Sequence, residues 1–153
     1  MASLAQGPNA HKGKSVLLVE PDDVIRQSLL DWLGSAMPEC RVMGTASTQE
    51  AMALPRFEPP SVAVVDIADP DVDGADAIRS TKGAMRRTHI VALTMSDHSE
   101  YCESLACAGA SASLLIWETQ CKLVPLIRAI LAADRGAATH ANGLNHVTGD
   151  GYA

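Results

Sequence analysis

Short runs of consecutive apolar residues alternate along this chain with longer stretches whose apolar positions recur every three or four. SVLLVE (15–20) is the first such run, and its unbroken apolar character is that of a strand buried on both faces. DVIRQSLLDWLGSAM (23–37) follows, with Ile25, Leu29, Trp32 and Leu33 on one helical face and Asp23 placed to cap it. CRVMGTA (40–46) is the second strand. STQEAMAL (47–54) opens with Ser47 and Glu50 in capping-box spacing and is cut short by Pro55. SVAVVD (61–66) is the third strand, ADAIRSTKGAM (75–85) a modest helix, and HIVALT (89–94) the fourth strand. SEYCESLACAG (99–109) is a helix closed by Gly109. SLLIW (113–117) is the fifth strand, and CKLVPLIRAILAADRG (121–136) the last helix, with Pro125 in its first two turns.

Five strands alternating with five helices predict parallel pairing through right-handed crossovers, hence an α/β three-layer sandwich around one five-stranded parallel sheet. Residues 14–135 form the domain. The flanks 1–13 and 136–153 are small, polar and without apolar period, and read as a flexible tail and a flexible tail or linker.

Composition narrows the class. With 153 residues the chain is one domain, and 47% hydrophobic against 20% charged residues is ordinary for a globular protein. Aromatics make up only 3%, so the core is aliphatic. A formal net charge of -6 argues against direct nucleic-acid binding. No stretch is long enough to span a membrane and the N-terminus has no apolar signal core, so the expected location is cytoplasmic. Cys40, Cys102, Cys107 and Cys121 have no C-x-x-C spacing, and on one helix Cys102 and Cys107 point about 140° apart. All four read as small buried apolar residues, without disulfides.

In an open parallel sheet, ligands bind beyond the carboxyl ends of the strands. The first strand ends in EPDD, the third in DIADPDVDG and the fourth in TMSD. In the flavodoxin-like order 2-1-3-4-5 these strands are neighbours, so Glu20, Asp66 and Thr94 converge. Two acids and a hydroxyl suit a magnesium ion and a phosphoryl group.

VLLVEPDD, VVDIADPDVDG, IVALT and AGASASLLI, in that order, resemble the response-regulator receiver family over 14–135. In that family an aspartate at the position of Asp66 accepts a phosphoryl group from a histidine kinase. The D-x-x-x-P-x-x-D-G pattern is present as Asp66, Pro70, Asp73 and Gly74. The resemblance implies that Thr94 is the switch hydroxyl and that magnesium is held by Glu20, Asp66 and the Ala68 carbonyl, with Asp22 as a further candidate.

Other positions depart from the family. Pro21 replaces the second of two adjacent acids and brings no side-chain oxygen, which weakens the magnesium site. Ile116 replaces the lysine that neutralises phosphoryl oxygens, and Trp117 stands where a proline is usual. Met95 replaces a small residue over the site. Ser113 replaces the aromatic switch of the fifth strand. The leading expectation is therefore an atypical receiver that acts through protein–protein contacts, with phosphorylation impaired or absent. Its partner is a protein effector, or a second copy meeting it through the helix 4–strand 5–helix 5 face and Trp117. The alternative is an ordinary magnesium-dependent phosphoacceptor phosphorylated on Asp66. A third reading, an aspartate-nucleophile phosphatase, lacks the D-x-D expected of it, and the chain is read as no enzyme. Any DNA-binding output would lie in a domain beyond this chain.

Simpler roles compete at single positions. Asp69, Asp71 and Asp73 suit turn residues. Arg79, Lys82, Arg86 and Arg87 suit a solvated surface. Met37, Met43, Met52 and Met85 suit gap-filling core or loop positions. His11, His140 and His146 carry no spacing signal.

Overall fold

The computed structural model of the protein describes residues 13–142. The expectations for 1–12 and 143–153, including His11 and His146, lie outside the described residues. Elements alternate as the apolar pattern predicts: β1 (Ser15–Val19), α1 (Asp23–Ala36), β2 (Arg41–Thr45), α2 (Thr48–Met52), β3 (Val62–Asp66), α3 (Gly74–Ala84), β4 (His89–Thr94), α4 (Ser99–Ala108), β5 (Ala112–Leu115) and α5 (Thr119–Asn142). The strands form one sheet in the order β2-β1-β3-β4-β5, and every pair is parallel.

Because successive side chains of a strand point to opposite faces, the unbroken apolar runs supply two cores at once. Val16, Leu18, Val62, Val64, Val91 and Leu93 face one side, where Leu33 of α1, Met37 just beyond it, and Leu123 and Ile127 of α5 cover them. Leu17, Val19, Ala63, Val65, Ile90 and Ala92 face the other, under Ala51, Ile78 and Leu105 of α2, α3 and α4. The sheet is thus sandwiched, and its two ends are left for chemistry.

Several boundaries and exposures differ from the sequence expectation. The cap of α1 is Asp22, whose side chain accepts from the amides of Val24 and Ile25, whereas Asp23 pairs with Arg26. Ile25 is 47% exposed, because the first turn of α1 begins beyond the carboxyl end of β1 and has no sheet beneath it. β5 stops at Leu115, and Ile116 and Trp117 belong to a 3-10 turn, Ile116–Glu118, closed by the Thr119 hydroxyl donating to the Ile116 carbonyl at 2.7 Å. α5 runs on past the expected end at Gly136 to Asn142. Its alanine-rich extension is helical by propensity and needs no apolar stripe. Of the cysteines only Cys40 is buried; Cys102 is half-buried, and Cys107 and Cys121 are exposed on their helices. Met37 and Met85 fill the core as expected, while Met52 is exposed. Gly109 ends α4 at φ +117, a left-handed conformation that L side chains resist.

Candidate functional site

Strand register brings the expected residues together. Val19 of β1 pairs with Val65 of β3, so Glu20, the next residue, stands beside Asp66. Asp66 pairs with Leu93 of β4, so Thr94 lies one residue beyond it. Three strand ends therefore present a carboxyl, a carboxyl and a hydroxyl in a row.

Glu20 is buried, at 4% exposure. Its Oε1 accepts from the Asp22 amide at 2.9 Å, and its Oε2 is buried with no donor. Burial is the main reason its acidity shifts from the ordinary 4.5 to about 7; the Asp66 carboxyl beside it adds to the rise. Two carboxylate oxygens can share a hydrogen bond only when one carries a proton, so without a cation the pair competes for one. Among the described residues no three His, Cys, Asp or Glu side chains come together closely enough to hold a metal ion by themselves, and neither carboxylate has an ion pair. Two carboxylates with one oxygen lacking a donor are a donor set that fits a magnesium ion, which takes few protein ligands and keeps several waters.

Asp66 is half-buried, and one of its oxygens is fixed: Oδ1 accepts from the Ala68 amide at 2.8 Å. Thr94 is buried, and its hydroxyl accepts from the Ser96 amide at 3.1 Å. Ala68, Thr94, Met95 and Tyr101 line a cavity of about 390 Å³, with Met95 57% exposed at its rim. A smaller cavity of about 200 Å³ lies between Thr94, Ser113 and Glu118.

The acids after Asp66 shape the loop. Asp69 accepts from the Asp71 amide at 2.9 Å, and Asp73 caps α3 by accepting from the Asp76 amide at 3.0 Å. Gly74 is required by close approach: a Cβ there would lie 2.3 Å from the Tyr101 hydroxyl and 2.8 Å from Ile67 Cδ1. Pro21 is exposed in the β1–α1 bend. Asp22 has Oδ1 committed to the helix cap. Lys122, the nearest cation in sequence to Ile116, pairs with Glu118 one turn away.

Two residues at the site escaped the sequence reading. Arg26 donates to the Glu20 carbonyl at 2.7 Å, bringing a guanidinium against the loop that carries the buried acid. Its spacing of three from Asp23 was the available signal. Tyr101, from α4, lines the same cavity as Thr94, and no strand-end pattern points to it.

The model of the response regulator receiver domain family matches residues 16–123. The DNA-binding transcriptional activator DevR/DosR of Mycobacterium tuberculosis (strain ATCC 25618 / H37Rv) is 38% identical over 97 residues, which cover 63% of this chain and 44% of that protein. The chain therefore spans less than half the length of that relative. A two-component response regulator of the LuxR family from Aurantimonas sp. SI85-9A1 is 27% identical, with a TM-score of 0.65 over 78% of this chain and 85% of that one. The BeF3-activated DrrB receiver domain, 20% identical with a TM-score of 0.63 over 78% of this chain and 97% of that one, shares the fold. A match that runs from the first strand into the fifth helix makes this chain a member of the response-regulator receiver family, at work in two-component signalling.

Proposed function

We propose that the chain is a magnesium-dependent phosphoacceptor, phosphorylated on Asp66 by a histidine kinase and acting as a signalling switch, not as an enzyme. The observation that supports it is the buried Glu20 oxygen left without a donor beside Asp66. Such a pair disfavours the folded chain unless a cation joins it, so a receiver with no use for the ion gains nothing by keeping it. Glu20, Asp66 and the Ala68 carbonyl would hold the magnesium, which when bound supplies positive charge to the phosphoryl oxygens. With Oδ1 of Asp66 held by Ala68, Oδ2 is the attacking oxygen. Thr94 changes partner from Ser96 to the phosphoryl group. The curated relative favours this reading over the atypical one expected from the sequence.

One observation favours the second reading, an atypical receiver that works through constitutive contacts. Ile116 brings no cation to the strand end, and Pro21 brings no oxygen. In both readings the output face is α4, β5 and α5 with Trp117, meeting a protein effector or a second copy. A net charge of -6 keeps this chain itself off nucleic acid, and any DNA binding would belong to an output domain outside the matched region; DevR/DosR, a DNA-binding activator by name, is covered over 44% of its length. Among the described residues no helix is long and apolar enough to cross a membrane, and we place the chain in the cytoplasm.

Incubation with phosphoramidate and magnesium, followed by intact-mass analysis, separates the two. The first reading expects one phosphoryl group on the wild type, and none on Asp66→Asn or without magnesium. An unmodified wild type selects the second.

A further inference from the structure

The two ends of the sheet carry opposite charge. The carboxyl end gathers Glu20, Asp22, Asp66, Asp69, Asp71 and Asp73. The amino end, about 15 Å away along five-residue strands, carries Lys14, Arg41 and Arg56, with Arg86 and Arg87 in the α3–β4 loop. Lys14, Arg41 and Arg56 line one cavity of about 340 Å³ at the amino ends of β1, β2 and β3. Its apolar lining comes from Met43 and Phe57, which rest on the core, and from the exposed Leu54.

Among the described residues none of these three cations makes an ion pair or a side-chain hydrogen bond. Glu58 is the one acid that lines the cavity. The main chain that carries Lys14 and Arg41 is fixed by the sheet. The Arg41 amide donates to the Lys14 carbonyl at 3.0 Å, and the Ser61 amide donates to the Ser15 carbonyl at 2.9 Å, so β1, β2 and the approach to β3 form one rigid wall. Arg56 has φ 57, the only non-glycine residue at positive φ among those described. A left-handed backbone is disfavoured for an arginine and needs a reason. Here the turn brings Arg56 to the cavity between Pro55 and Phe57.

We propose that this cavity binds a small organic phosphate with a flat apolar body, of mononucleotide size. Three unpaired cations take the phosphate, and Met43, Leu54 and Phe57 take the ring. The volume lies in the range of small-ligand sites. The neighbouring residues 1–12 are a poor occupant, since they contain Lys12 and no Asp or Glu. The site is independent of Asp66 and lies at the other end of the strands.

The test is a nitrogen-15 NMR titration of the full chain in EDTA with AMP, adenosine and inorganic phosphate. AMP should give saturable shifts at the amides of Ser15, Arg41 and Phe57, adenosine none, and inorganic phosphate weaker shifts at the same amides. Arg41→Gln with Arg56→Gln should weaken AMP by about tenfold or more. Both side chains are exposed, so the variant should keep the wild-type spectrum elsewhere. If it does not fold, the wild type still decides, because AMP affinity must fall as salt is raised. AMP binding that is absent, matched by adenosine, insensitive to salt or unchanged in the variant overturns the proposal.

Discussion

Glu20 owes its acidity to the place where β1 stops. Burial raises it from 4.5 to about 7, so the folded chain holds its proton more tightly than the unfolded chain does. Between those values the native state binds more protons, and stability falls as pH rises. In EDTA the melting temperature should drop from about pH 5 to about pH 8 and level off above the folded value. Glu20→Gln should flatten that slope, and saturating magnesium should restore wild-type stability at the alkaline end. A wild type whose melting is flat across the window would show that Glu20 is not the strained group described here. Ile116 gives a second prediction at this scale. Ile116→Lys brings an ammonium to the strand end, and one charge-assisted hydrogen bond is worth about 1.5 kcal/mol, roughly tenfold in beryllofluoride affinity by isothermal calorimetry. Affinity equal to wild type would mean that position 116 does not face the phosphoryl group.

Element boundaries were decided by contacts that a linear pattern does not contain. Asp22 and Asp23 both suit an N-cap, and the choice between them rests on Glu20, whose Oε1 takes the Asp22 amide and sets the bend. Asp22→Ala should therefore cost about 1 kcal/mol in urea denaturation, and Asp23→Ala under about 0.5. Equal costs would return the cap to Asp23. The α3 start is similarly local: Asp73 caps it, and Gly74 leaves room for Tyr101 and Ile67. Gly74→Ala should destabilise by about 1–3 kcal/mol, with part recovered in the double variant with Tyr101→Phe, which removes the nearest atom.

The order and type of the elements were legible because the strands are unbroken apolar runs buried on both faces and each is followed by a helical period. The convergence of Glu20, Asp66 and Thr94 was legible for the same reason: strand ends in a parallel sheet are neighbours by topology. Their electrostatic state was not. It depends on Glu20 being buried with an oxygen left over, on Arg26 reaching back to its carbonyl, and on Tyr101 arriving from α4. The cysteine expectation failed because Cys107 and Cys121 sit on helices whose outer faces tolerate small residues. At the scale of the assembly, Trp117 is 63% exposed beside α5. Sedimentation velocity with magnesium and beryllofluoride should show a dimer for the wild type and a monomer for Trp117→Ala; a wild-type monomer would remove that face as a self-association surface. The central claim, a cation-dependent reactive Asp66, is tested most directly by titrating magnesium and beryllofluoride while following the amide signals of Ala68 and Ser96. Both signals should show saturable, magnesium-dependent shifts that vanish in Asp66→Ala; signals that stay fixed at millimolar magnesium would mean that Asp66 is no cation-dependent phosphoacceptor.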